Sequence, residues 1–290
     1  MNILYPLAKR FIAGENVEGL LETMSKLIEN VTINYVGESC SNKKTIEENL
    51  NEYEYLIYHL QKMDGTYELS PKLSQFGTFD RDLLYAAKKL KLKTQNSNIS
   101  IKFDMEQEDT IQRTLDIAKE FRFGVVLQAN MNRSQNDIED VMLRYGCIRI
   151  CKGAYDGDIK EDSKIREAYL CLVETVFKNK RYMNYHLSDY YKKNLLSIAT
   201  HDESLIKEIK TLANRYECKQ EFYFELLYGI RKDLIIKLLR QGYNVRTYLP
   251  YGKNWLYYVC RRLKEFKNLR FVFINLMREY GTKLFQKPST

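Results

Sequence analysis

The sequence predicts an α/β protein whose parallel strands close into a (β/α)8 barrel of the TIM type, and three observations carry that expectation. Eight runs rich in β-branched and aromatic residues recur along the chain. Longer stretches with helical apolar spacing lie between them, and such alternation demands helical crossovers, because a parallel neighbour cannot be reached by a tight turn. Eight such units over 290 residues suit a closed barrel. A doubly wound open sheet with an extra strand or two scans similarly, so both remain open on periodicity alone.

Before the first strand, Val17, Leu20, Leu21, Met24, Leu27 and Ile28 keep helical spacing, which predicts an extra N-terminal helical segment within residues 1–30. The strand runs are 31–36, 67–73, 99–103, 123–128, 147–151, 195–199, 221–226 and 243–248. Helical stretches between them include 46–60, 110–121, 165–177, 205–216 and 234–239. No proline-rich or polar linker interrupts the series, so residues 1–290 are expected to form a single domain. The strand spacing carries no repeating motif of the solenoid kind.

Composition removes several function classes. With 44% hydrophobic residues, only 4 prolines and 13 glycines, the chain is neither disordered nor collagenous. Six cysteines form no CxxC pair and only three histidines are present, so a zinc knuckle or histidine cage lacks ligands and no metal is expected. There is neither a GxG dinucleotide fingerprint nor a P-loop. No apolar run approaches the roughly 18 residues of a membrane span, and the start lacks a signal-peptide pattern, which together predict a cytoplasmic protein with free thiols. The net charge of +8 is spread out, with one local cluster at Lys88, Lys89, Lys91 and Lys93. That cluster reads as a solvated helix face, with a nucleic-acid or anionic-lipid contact as the other reading.

Barrel enzymes work at the carboxyl ends of their strands, and polar residues collect there: Glu38, Lys72, Asp104, Gln128, Lys152 with Gly153, Thr200-His201-Asp202, Glu225 and Tyr248. A denser group follows the last strand. At about 100° per residue, Tyr258, Arg261, Arg262 and Glu265 share one helix face, while Leu256, Val259, Cys260, Leu263 and Phe266 share the other. Periodicity alone allows two placements. An outer helix would bury the apolar face and leave both arginines in water, whereas a helix across the barrel mouth would aim two guanidiniums at a substrate carboxylate.

Fragments along almost the whole chain, in order, resemble the flavin-dependent proline dehydrogenases of the short, monofunctional bacterial kind. They are Arg10-Phe-Ile-Ala-Gly-Glu15, Val36-Gly-Glu38, Lys72-Leu-Ser-Gln-Phe-Gly77, Asp104-Met-Glu106, Val126-Leu-Gln128, Arg149-Ile-Cys-Lys-Gly-Ala-Tyr155, Ala199-Thr-His-Asp202, Leu227-Tyr-Gly229, Val245-Arg-Thr-Tyr-Leu-Pro-Tyr-Gly252 and Tyr258-Val-Cys-Arg-Arg-Leu-Lys-Glu265. The resemblance implies a distorted (β/α)8 barrel with its last helix over the mouth. It implies oxidation of L-proline to 1-pyrroline-5-carboxylate by hydride transfer to FAD, the electrons then passing to a quinone.

By the same resemblance, Lys72, Arg261 and Arg262 clamp the substrate carboxylate, Glu265 ion-pairs with Lys72, and Leu227, Tyr248 and Tyr258 wall the substrate ring. Asp104 ties down its neighbours near substrate and flavin. Gln128, Arg149, Lys152, Gly153, Ala154, Thr200 and His201 are implied to hold the cofactor, with Glu225, Leu226, Arg262 and Glu265 also beside it. The bulk of Tyr248 implies a preference for proline over hydroxyproline. A quinone acceptor implies peripheral contact with the inner face of a membrane, and a separate 1-pyrroline-5-carboxylate dehydrogenase would take the product; no nucleic acid is expected. Three departures from the family pattern stand out. Glu225 replaces a usual Gln and is expected to lower the flavin potential, Asn130 replaces a usual aromatic, and Asn34 replaces an acidic residue. They leave open a flavin-binding barrel with altered acceptor or weak proline turnover; a non-catalytic basic binding protein rests only on the lysine cluster.

Overall fold

The computed structural model describes residues 8–37, 40–144, 147–183, 196–256 and 258–260. Its first helix, α1 (Val17–Met24), is capped by Asn16, whose side chain accepts from the backbone of Gly19 at 3.0 Å. The eight-fold alternation then runs β1 (Asn30–Tyr35), α2 (Lys43–Leu60), β2 (Tyr67–Leu69), α3 (Asp80–Thr94), β3 (Ile99–Phe103), α4 (Glu108–Phe121), β4 (Gly124–Gln128) and α5 (Arg133–Arg144). It continues through β5 (Ile148–Cys151), α6 (Asp162–Met183), β6 (Leu196–Ala199), α7 (Glu203–Arg215), β7 (Phe222–Leu227), α8 (Lys232–Arg240) and β8 (Asn244–Tyr251). Every strand is parallel to its neighbours, and β8 pairs with β1 from Asn30↔Arg246 to Tyr35↔Tyr251. That closing pair excludes the open sheet.

Two strands differ from the sequence reading by more than one residue at an end. The run expected to reach residue 73 leaves the ladder at Leu69, because Pro71 has no N–H to donate. Lys72 touches the sheet only through an isolated bridge to Asp104, and a 3-10 turn, Leu73–Phe76, follows it. Gln75 fixes this corner: its Oε1 accepts from Lys72 N (2.9 Å) and Tyr53 OH (3.0 Å), and its Nε2 donates to Tyr35 O (2.9 Å). The last strand runs three residues past the expected 248, since β1 offers partners as far as Tyr35.

The helices bury one face each on the barrel, as Leu50, Tyr53, Leu56, Ile57 and Leu60 of α2 do. The lysine cluster lies on α3, where Lys89 and Lys93 reach Glu54 of α2 at 2.9 and 3.7 Å, and Lys91 Nζ stands 5.7 Å from the centre of the Phe123 ring. This matches the solvated-face reading.

The inside of the barrel is charged. Side chains from strands on opposite sides of the ring meet there, Lys102 of β3 with Ser197 of β6 (3.3 Å) and Arg149 of β5 with Glu68 of β2 (3.3 Å). Glu68 Oε1 accepts from Thr32 (2.9 Å) and Arg149, and Oε2 from Lys102 (2.8 Å) and Arg246 (2.9 Å). With Asp104 and Glu225 added, three carboxylates face three cations, so the ionised set is neutral. Burial alone would push the Glu68 carboxyl up, but Lys102, Arg246 and Arg149 hold it well below the usual carboxylate range.

Removing one member of such a set strands its partners in a sealed interior. Glu68→Gln is therefore expected to lower the unfolding free energy by about 3–5 kcal/mol in urea titration. Glu22→Gln, which breaks an exposed pair between Glu22 of α1 and Lys26, should leave it essentially unchanged. Equal effects from the two variants would contradict a tightly coupled interior.

Candidate active site

The carboxyl ends of the strands open into a cavity of about 430 Å³, within the range of small-molecule sites. Its wall includes Lys72, Asp104, Gln128, Arg149, Lys152, Gly153, Ala154, Thr200, His201, Glu225, Leu226, Leu227, Tyr248 and Tyr258. All fourteen expected site residues that fall among the described residues thus meet on one surface. Glu38, Arg261, Arg262 and Glu265 lie outside the described residues. Sequence reasoning missed Met105, Val126, Cys151, Tyr155 and Ala199, which also line the cavity. All five lie within the fragments that carry the family resemblance, but their residue types suggest no chemistry of their own, and Val126 sits in the middle of β4.

Asp104 joins the cavity to the charged interior. Its Oδ1 accepts from Arg149 Nη1 (2.6 Å) and Ser70 Oγ (2.8 Å), and its Oδ2 accepts from Tyr248 OH (2.5 Å). Burial, reinforced by the Asp104 carboxylate, pushes the Tyr248 phenol well above its ordinary range, so the phenol keeps its proton and remains the donor. Burial works against the Arg149 cation, but Glu225, Asp104 and Glu68 outweigh it and keep the guanidinium charged. Its Nη2 lies 2.7 Å from Glu225 Oε1. Glu225 is also the register partner of Arg246 on β8, so this carboxylate belongs to the balanced set rather than standing as a lone anion. The Cys151 thiol is pushed up to about 12, chiefly by burial, and stays neutral.

The opposite wall is built from loops. Gly153 has φ +115°, and a Cβ there would fall 1.9 Å from Asn130 Oδ1, so only glycine fits. Asn130 donates to Tyr155 O at 2.8 Å and thereby braces the loop after β5, the role it takes in place of an aromatic. Asn34 donates to Ser70 O at 2.7 Å, which an ionised carboxylate in its place could not do. Lys152 pairs with Asp202 at 3.2 Å, and Asp202 also caps α7 through Ser204 N and Leu205 N. His201 Nε2 accepts from Leu227 N at 3.0 Å, which puts the ring proton on Nδ1. Lys72 is half-buried at the rim and has no ion-pair partner among the described residues.

The described residues 255–260 bear on the two placements left open by periodicity. Leu256 is 37% exposed and Cys260 is exposed, although the outer placement would bury both. Trp255, Tyr258 and Val259 are buried instead, because Phe11 and Ile12 cluster with them and Tyr258 closes the cavity. The chain therefore takes the mouth placement here, not the outer one.

A family profile described as proline dehydrogenase matches residues 20–272. The chain belongs to the proline dehydrogenase family. Proline dehydrogenase 2 of Bacillus subtilis strain 168 is 31% identical over 288 residues, covering 94% of this chain and 91% of that protein. Proline dehydrogenase of Deinococcus radiodurans is 28% identical over 292 residues, covering 95% of this chain and 91% of that one. Among solved structures, proline utilization A (PutA) from Bdellovibrio bacteriovorus superposes with a TM-score of 0.77 at 18% identity, over 89% of this chain. This chain spans about a third, 32%, of that much longer protein, and the likeness is one of fold. Among the described residues of this family member, no cluster of three or more His, Cys, Asp or Glu could hold a metal, and no helix is long and apolar enough to cross a membrane.

Asp202 gives the site an acid-sensitive joint. Burial raises its carboxyl, but hydrogen bonds from Ser204, Leu205 N–H and Lys152 bring it down to about 2. A carboxyl depressed in the folded state stabilises fully above its unfolded value of roughly 4 and loses that contribution as pH falls through about 2. The stability gap between the unaltered protein and Asp202→Asn should accordingly shrink between pH of about 4 and 2, read from urea midpoints. A gap independent of pH would assign the cap to geometry and not to charge.

Proposed function

We propose that this chain oxidises L-proline to 1-pyrroline-5-carboxylate, with FAD as hydride acceptor and a quinone as the final electron acceptor. The observation that carries the reading is the convergence of the fourteen residues on one cavity at the carboxyl ends of the strands, in a chain of this family.

The residues present fit a flavin. Gly153 leaves a stretch of backbone that a ligand can approach closely, because no side chain can stand there. Glu225 Oε2 and Arg149 Nε, both buried, have no hydrogen-bond partner among the described residues. A wall holding unused donors and acceptors suits an isoalloxazine edge, which presents both kinds of group. Gln128, Arg149, Lys152, Gly153, Ala154, Thr200, His201, Glu225 and Leu226 would hold the cofactor, with Asp104 beside them and, as the family resemblance implies, Arg262 and Glu265. FAD, when bound, supplies the two-electron acceptor for the hydride.

The chain's own work is orientation. Lys72, Arg261 and Arg262 grip the substrate carboxylate, and planar guanidinium forks fix its direction as well as its place. Glu265 balances the three cations and steadies Lys72. Leu227, Tyr248 and Tyr258 confine the ring, and Asp104 holds the Tyr248 phenol so that a ring hydroxyl finds no room. A separate 1-pyrroline-5-carboxylate dehydrogenase is the partner suited to the product. A cytoplasmic location with peripheral membrane contact is the arrangement suited to a quinone.

The purified protein should be yellow, and L-proline should bleach the flavin band under anaerobic conditions. Colour without bleaching would refute proline as substrate, and colourless protein that takes up no FAD would refute the cofactor. Arg261→Met or Arg262→Met is expected to weaken proline affinity by about 2–4 kcal/mol, and Lys72→Ala to raise KM as well. Unchanged KM values would remove these residues from the clamp. Oxidation draws on the free amine lone pair, so turnover should rise from neutral toward alkaline pH.

A further inference from the structure

The roof of the cavity rests on a second core, separate from that of the barrel. Ala8, Phe11 and Ile12 from the start of the chain pack with Val36, Ile230, Trp255, Tyr258 and Val259, and Leu227 joins them from β7. Two of these residues, Leu227 and Tyr258, also line the cavity. The N-terminal part of this core is fastened to the barrel at several points. Ala13 N donates to Pro250 O (2.8 Å), Gly252 N to Gly14 O (2.9 Å), and Arg10 Nε to Gly229 O (3.2 Å). Gly229, at φ +74°, lies so close that a Cβ there would sit 1.6 Å from Arg10 O. Residues 8–15 therefore form a fixed strap, and the turn bearing Tyr258 leans on it.

Strap and turn are linked by a hydrogen bond from Trp255 Nε1 to Glu15 Oε1 at 2.8 Å. Trp255 is only 4% exposed and lies three residues before Tyr258, so the two share a helix face. An indole whose N–H is held cannot slide along the strap, and neither can the phenol one turn further on.

We propose that Glu15 is a positioning residue for the substrate site: acting through Trp255, it holds Tyr258 on the cavity and so sets substrate affinity without touching substrate or cofactor. The inference rests on the function proposed above for the choice of substrate, but the contact itself can be read without any. A carboxylate is not required for the role; an acceptor oxygen at that distance is.

The chain has a single tryptophan, so its emission reports this contact alone when excited where tyrosine does not absorb. Glu15→Ala should shift that emission to the red and raise KM for proline roughly fivefold to tenfold, the size of one lost hydrogen bond, while kcat and bound flavin change little. Glu15→Gln keeps an acceptor and should restore both readings. Phe11→Ala, which empties the apolar side of the same contact, should raise KM in the same direction. Shifted emission with KM within about twofold would overturn the positioning role, and unshifted emission in Glu15→Ala would overturn the contact. Failure of the unaltered protein to oxidise proline would count against the proposed substrate, while the emission of Trp255 would still decide the contact.

Discussion

A single buried carboxylate organises the interior of this barrel. Glu68 takes donors from four other strands, Thr32 on β1, Lys102 on β3, Arg149 on β5 and Arg246 on β8. Such a centre is stable only if each cation stays where it is, because any partner left alone in a water-free ring would cost several kcal/mol. Strand register is thereby constrained from within as well as by backbone pairing. The ring must keep Lys102, Arg149 and Arg246 pointing inward, and a slip of one residue would turn each outward. From this centre the order passes upward through Arg149 to Asp104, and from Asp104 to the Tyr248 phenol at the cavity wall.

Much of this was legible in the sequence and some was not, for reasons that differ by element. Five of the helices between strands were found by their apolar stripe, and each of those begins two or three residues earlier than the stripe, as α2 does at Lys43 with Asn42 as its cap, whereas α3 and α5 were not singled out. Strands were found by composition, and their ends were misjudged where a tertiary feature decides: Pro71 cuts β2 short, and β1 draws β8 out to Tyr251. Polar residues at strand ends stood out because the barrel rule says where to look. Glu68, Lys102 and Arg246 did not, because a charged residue within a strand reads as solvent-facing under period-two patterning. Only the closed ring, which folds one strand face onto itself, turns those three into interior residues.

The motif fragments divide in the same way. Those carrying acids, bases and glycines at strand ends could be connected with chemistry directly, and they line the cavity. The fragment Arg10–Glu15 carried no chemistry that residue type could suggest, and neither did Gly229. In the fold they turn out to be two sides of one contact, and their value lies in packing and in backbone approach rather than in reactivity.

Arg149 shows why the identity of a cation matters at this place. Its two terminal nitrogens serve Glu68, Asp104 and Glu225 at 3.3, 2.6 and 2.7 Å, and its guanidinium lies 5.0 Å from the centre of the Tyr248 ring. A lysine would bring one charge on a flexible stem and could not address three acids in fixed directions while stacking on a ring. Glu225 takes its meaning from this arrangement. An amide at that position would leave Lys102, Arg149 and Arg246 facing only Glu68 and Asp104, an interior with one positive charge in excess. The carboxylate removes that excess. Whatever negative charge develops in the cavity above is then stabilised less than over a cationic floor, so a lowered potential for the flavin proposed there would follow from a positive field withdrawn and would need no bare anion beside it.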